Sequence, residues 1–141
     1  MRRSISHYLI VPVLFALTSA ACGDNLSTTT PTDTTSTTAT ETFSGAISRN
    51  GAATHTFTTA RSGSVTATLS ALNPDNTLTI GLSLGTWNGE SCQVVIARDS
   101  TVVGNSIVGT ASAAATFCVR VYDASASITE QTSYDVQVVH P

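Results

Sequence analysis

The chain has 141 residues, enough for one domain with appendages, and only 11% of them are charged, against about 25% in ordinary globular proteins. It contains no lysine; its six basic residues are all arginine, and nine carboxylates bring the formal charge to −3. With no basic cluster to meet phosphates a nucleic-acid partner is excluded, and the excess of Thr, Ser, Val and Gly over helix formers points to an all-β domain beside an unfolded segment.

The chain opens with a short basic stretch, "MRRSISH", then the apolar run "YLIVPVLFAL", then the small residues of "TSAAC". That order is the one expected of a secretory signal, and the run is too short for a stable membrane span, which needs about 20 residues. "SAAC" resembles a bacterial lipobox, in which the cysteine thiol receives a diacylglyceryl group and cleavage follows just ahead of it. Ala20 and Ala21 fit the two positions before the cysteine, whereas Ser19 stands where leucine is usual. The alternative is ordinary cleavage around Ala20–Ala21 with Cys22 left as a thiol. An unpaired exposed thiol is a liability in an oxidising compartment, so the expectation is a signal peptide over 1–21 and a lipidated Cys22. Membrane lipid is then the first partner. The cell envelope, outside the cytoplasm, is the expected location. Gly23 rather than Asp after the cysteine leans toward an outer membrane where there are two.

Residues 22–42 read as a tether. Within 27–42, "STTTPTDTTSTTATET", twelve of sixteen positions are Ser or Thr and none is large and apolar, so nothing offsets the entropy of ordering. β-Branched threonines favour extended backbone, and the stretch can reach on the order of 50 Å.

Residues 43–141 read as a domain of about eight strands. Alternation of period two runs through "TFSGAIS" (42–48), "ATHTFTT" (53–59), "SVTATLSAL" (64–72), "TLTIGLSLG" (77–85), "SCQVVIA" (91–97), "SIVGT" (106–110), "TFCVRVYD" (116–123) and "YDVQVVH" (134–140). Turn chemistry separates them at "RNGA", "ARSG", "NPDN" and "WNGE", with Asn50-Gly51 a hairpin signal. One face of each run is apolar and the other is rich in Thr and Ser. The expectation is an antiparallel two-sheet sandwich, jelly-roll-like.

"FSGAIS", "THTFTTARSGSVTATLSAL", "LTIGLSLG", "FCVRVYD" and "SYDVQVVH", in that order, resemble the bacterial pre-peptidase C-terminal domain. The resemblance covers essentially all of 43–141 and implies a small β-sandwich in a secreted setting. Domains of that family are appended to secreted enzymes, many of them peptidases, which makes a helper role for a secreted peptidase one implication. No peptidase precedes the domain in these 141 residues, so the resemblance leaves the role open.

Chemistry is sparse. No G-x-S-x-G elbow marks one serine among many, and the two histidines after the leader, His55 and His140, have no Cys or Glu at metal-ligand spacing. His55 alternates with Phe57 and reads as structural; His140 is penultimate and is expected to fray. The carboxylates of "NPDN", Glu90, Asp99, Asp123 and Asp135 lie on separate loops and strands; loops at one end of a sandwich can converge on calcium, but no D-x-D-x-D-G run is present, and the Asn and Asp of "NPDN" read as turn caps with solvated charge elsewhere. No catalytic residue, metal or cofactor is expected, and no enzyme. With Cys22 lipidated, Cys92 and Cys118 remain to form a disulfide. There is a conflict of phase. Cys118 is out of step with Phe117, Val119 and Val121, while Cys92 is in step with Val94 and Ile96. Either Val95 and Ala97 mark the true inner face, or a bulge shifts the phase. Trp87, the only tryptophan, lies in "LGTWNGES" and is either a lid over one end of the core or an exposed platform for a glycan or protein partner, with Asn88 and Glu90 beside it. The functional expectation is a membrane-anchored, non-catalytic β-sandwich binding or adhesion module for a glycan or envelope protein. The alternative is a structural envelope lipoprotein with no small-molecule site.

Overall fold

A computed structural model describes residues 37–141. Residues 1–36, which hold the signal-peptide reading, Cys22 and most of the tether, lie outside the described residues. Eight strands follow in chain order: β1 (Ala39–Ile47), β2 (Ala52–Thr59), β3 (Gly63–Asn73), β4 (Ile80–Trp87), β5 (Cys92–Thr101), β6 (Ser106–Ala111), β7 (Ala115–Tyr122) and β8 (Thr132–His140). They form two antiparallel sheets of four, in the orders β1-β8-β3-β6 and β2-β7-β4-β5. The pairs β1·β8, β2·β7, β3·β6 and β4·β5 are those of one long hairpin folded at the β4–β5 turn and wrapped on itself, which is a jelly roll.

The alternation read from the sequence becomes burial. Val65, Ala67 and Leu69, then Ile80, Leu82 and Leu84, then Val119 and Val121, and Tyr134, Val136 and Val138 all face the core between the sheets. In β3 the register shifts between Leu69 and Ala71, so a bulge at Ser70 keeps Leu72 on the inner face, opposite Tyr134. Thr59, Thr101 and Thr132 are fully buried, and each hydroxyl donates to a backbone carbonyl, of Ala113, Arg98 and Glu130 respectively.

Two boundaries differ from the expectation. Strand β1 begins at Ala39, inside the stretch read as tether, because Glu41 has a partner: its Oε1 lies 2.8 Å from His140 Nε2. His140 does not fray. It is 3% exposed, ends β8 on the inner face, and sits 5.1 Å from the Phe57 ring.

The Asn50-Gly51 turn forms, with Asn50 at φ 57° and the Gly51 N–H donating to the Ser48 carbonyl, but it does not make a hairpin. β1 pairs only with β8 and β2 only with β7, so this turn is a corner between the sheets. Asp123 fastens the corner, accepting from the Asn50, Ser127 and Ile128 N–H groups. Burial pushes the Asp123 carboxyl up, and the three backbone donors together outweigh it and hold the group below its ordinary pKa. The corner lies at the far end of the sandwich. At the opposite end β1 starts beside His140, the Ala60 N–H donates to the Pro141 carbonyl, and the β4–β5 turn closes.

Candidate functional site

Trp87 ends β4 on the outer face of the second sheet. Ile80, Leu82, Leu84 and Thr86 alternate inward, while Gly81, Ser83, Gly85 and Trp87 point away from the core. Half-buried, Trp87 is therefore no lid between the sheets. Beyond it the chain turns through residues 88–91, with Gly89 at φ 98°. Asn88 Oδ1 accepts the N–H groups of Glu90 (2.9 Å) and Ser91 (2.7 Å), so this side chain builds the turn.

The disulfide forms: Cys92 and Cys118 are bonded, with Cα atoms 5.8 Å apart. The two residues sit on β5 and β7, which β4 separates in the sheet; second-neighbour strands in a flat sheet would lie about 9.6 Å apart. The start of β5 must therefore fold over the outer surface of β4. Gly85 makes that approach possible, because a Cβ there would stand 2.2 Å from the Gln93 carbonyl oxygen. The conflict of phase resolves by a bulge. Gly85 pairs Val94 and Leu84 pairs Ile96, so Val95 is the extra residue that turns Ile96 inward while Cys92 stays outward. Cys118 does point away from the hydrophobic core, yet it is wholly buried, under the folded-over end of β5.

Next to the disulfide, in register across the strands, lies the row Thr54–Arg120–Ser83. The Arg120 guanidinium stacks on the Tyr122 ring, 5.4 Å from its centroid. Tyr122 is itself pinned. It covers Gly81, where a Cβ would stand 2.3 Å from the ring, and its hydroxyl donates to Asp99 Oδ1. Burial, followed by the Asp99 hydrogen bond and charge, pushes the Tyr122 phenol up to about 12, against the opposing pull of Arg120. Ser83 Oγ is buried without a hydrogen-bond partner among the described residues.

Trp87, Glu90, Ser91, Cys92, Thr54 and Arg120 together line an open depression of about 450 Å³. Trp87 and Glu90 of the expected contacts thus meet at one place, while Asn88 is spent on the turn. Arg120 and Thr54 were not legible as site residues, since each reads only as the polar half of a strand alternation; nothing local says that β7 and β2 run beside β4. A largely apolar cleft of about 310 Å³ opens at the same end, lined by Phe57, Leu84, Ile96 and Phe117 among others, with the hydroxyls of Thr86, Thr110 and Ser112 but no charged side chain.

The histidines sit elsewhere, between the sheets. His55 Nε2 lies 2.7 Å from the Tyr134 hydroxyl, and its ring stacks on Phe43 at 5.1 Å. Burial lowers the pKa of His55 and raises that of Tyr134. His140 contacts Glu41 and Phe57, and neither histidine is hydrogen-bonded to a Ser, Thr or Cys side chain among the described residues. Asp75 caps its own turn through the Thr77 N–H and hydroxyl, and Asp135 takes the Ser44 hydroxyl. No three His, Cys, Asp or Glu side chains converge on a metal position among the described residues. Compared with known proteins, the chain matches no family model and no curated protein.

Proposed function

We propose that this protein is a non-catalytic binding module displayed on the cell envelope, anchored through lipid on Cys22, tethered by its Thr/Ser segment, and contacting its ligand at the Trp87 depression. The pre-peptidase C-terminal resemblance supports the secreted setting and leaves the ligand open. The observation that carries the reading is the position of Trp87. A half-buried indole on the outer face, beside a depression and away from the core, contributes nothing to closing the sandwich, whereas an indole face is an effective platform for a sugar ring or an apolar partner group. The charged and hydroxyl groups around it supply orientation.

Trp87→Ala in the full chain tests this. The expected outcome is a melting temperature within a few degrees of the parent together with loss of binding to envelope glycans or proteins in a pull-down. Loss of roughly 3 kcal/mol of stability with no ligand found would instead favour a structural lipoprotein, with Trp87 acting as packing.

A further inference from the structure

The depression holds a cation with no carboxylate beside it in an ion pair among the described residues. Arg120 is half-buried; its guanidinium stacks on the Tyr122 ring and makes no hydrogen bond or ion pair with a protein group among the described residues. Glu90 lines the same depression, yet the one ion pair among the described residues is Glu41 with His140. Asp99 is engaged with the Tyr122 hydroxyl. The guanidinium faces an open depression with its donors free of protein acceptors, and a carboxylate meets such a group in bidentate geometry. Its position is fixed in advance, because Tyr122 is held both by Asp99 and by its seat on Gly81. Little ordering remains when an anion arrives.

The other groups narrow the class of anion. The Trp87 indole offers a flat apolar face. The Thr54 and Ser91 hydroxyls and the Glu90 carboxylate can exchange hydrogen bonds with several hydroxyl groups, and Glu90 would repel a ligand that is anionic throughout. The site opens on the outer face of the sheet over the interior strands β4 and β7, whose backbone groups are already paired on both sides, so the groups at its centre are side chains and not a free strand edge. Ring face, hydroxyls and a single carboxylate per recognition unit describe an acidic sugar. Resting on the proposal that Trp87 is the ligand contact, we infer that Arg120 determines specificity for a carboxylate-bearing glycan, with the sugar ring on Trp87 and its carboxylate on the guanidinium.

Trp87 is the only tryptophan, so its emission reports the site directly. The purified full chain is titrated with an oligogalacturonate and with the same oligosaccharide fully methyl-esterified, which removes the charge and keeps the ring. The acid is expected to shift the emission and to bind about tenfold or more tightly than the ester, the difference shrinking as salt rises. Arg120→Gln should lower affinity for the acid to that for the ester and leave the ester unchanged. Glu90→Gln, which removes a like charge without touching a fold contact, should tighten the acid alone; it keeps the test open if Arg120→Gln fails to fold. Equal binding of acid and ester, or an equal loss of both on Arg120→Gln, would overturn the role of Arg120 while leaving Trp87 as a contact. Silence toward both sugars with a response to poly-glutamate would overturn the glycan in favour of an acidic peptide. Silence toward all three, with Trp87→Ala losing stability, would overturn this inference and the binding module together.

Discussion

Removing the Cys92–Cys118 bond tests how the outer face is held. The bridge closes a loop with a sequence separation of 26, for which the chain-entropy relation gives a stabilisation of roughly 3.5 kcal/mol at 25 °C. Small domains have about 5–15 kcal/mol in total, so the loss is large but survivable. The double variant Cys92→Ala/Cys118→Ala is the suitable form, because Cys118 is fully buried and a serine there would leave a hydroxyl without water. The full chain is unfolded in urea and followed by Trp87 fluorescence and by circular dichroism. The midpoint should fall by an amount corresponding to about 3–4 kcal/mol, with thermal melting lower by roughly 15–25 °C. Because the effect is assigned to the unfolded chain, the folded variant should keep the native Trp87 emission maximum, while its intensity rises with loss of the neighbouring disulfide quencher. A loss under about 1 kcal/mol would mean that the constraint is not felt in the unfolded state. Native stability with a shifted Trp87 emission maximum would mean that the bond, and not the absent Gly85 side chain, folds β5 over β4. Either result refutes the reasoning.

Two further predictions concern other parts of the chain. Cys22→Ser should move the protein from the membrane to the soluble fraction on cell fractionation, and continued detergent-sensitive membrane association would refute the anchor. Burial lowers the pKa of His55 from 6.5, so the unfolded chain binds a proton there more readily than the folded one; stability contributed by neutral His55 is complete above about pH 6.5 and declines as pH falls below it. Denaturant midpoints measured from pH 7.5 to 5 should therefore fall in the parent and fall less steeply in His55→Gln; parallel slopes would show that His55 does not carry the dependence.

The strands were legible because each buries one face. "SVTATLSAL" and "YDVQVVH" show their inner residues by period alone, and the cysteine count foretold the bridge. Pairing was not legible. "RNG" reads as a hairpin because Asn50 adopts positive φ, and the same turn serves equally as a corner between sheets; only the pairing of β1 with β8, nearly a chain length away, decides between them. The bulge at Val95 was open as one of two choices, because a bulge is stated by its partner strand and not by its own residues. His140 looked frayed by position, and its burial depends on Glu41 and Phe57, which lie far away in the chain. The depression itself draws on β2, β4, β7 and the turn into β5, so the Trp87 half could be read in one stretch and the Arg120 half could not.

The nesting of the strand pairs has a consequence for assembly. A chain is made from its N-terminus, so of the eight described strands β1 emerges first and its only strand partner, β8, emerges last. Until β8 has emerged, β1 has two open edges, the state in which strands recruit wrong neighbours. Its composition suits that wait. In "ATETFSGAI" the outer positions Thr40, Thr42 and Ser44 are hydroxyl-bearing, and the inner face, which carries Phe43 and Ile47, is interrupted by the charge of Glu41 and by Gly45. The space above Gly45 is filled by Tyr134 of β8, where a Cβ would stand 2.5 Å from the phenol oxygen. The gap that Gly45 leaves in the inner face of β1 is thus filled by a ring from its partner strand, and the face of β1 is complete only when β8 has arrived.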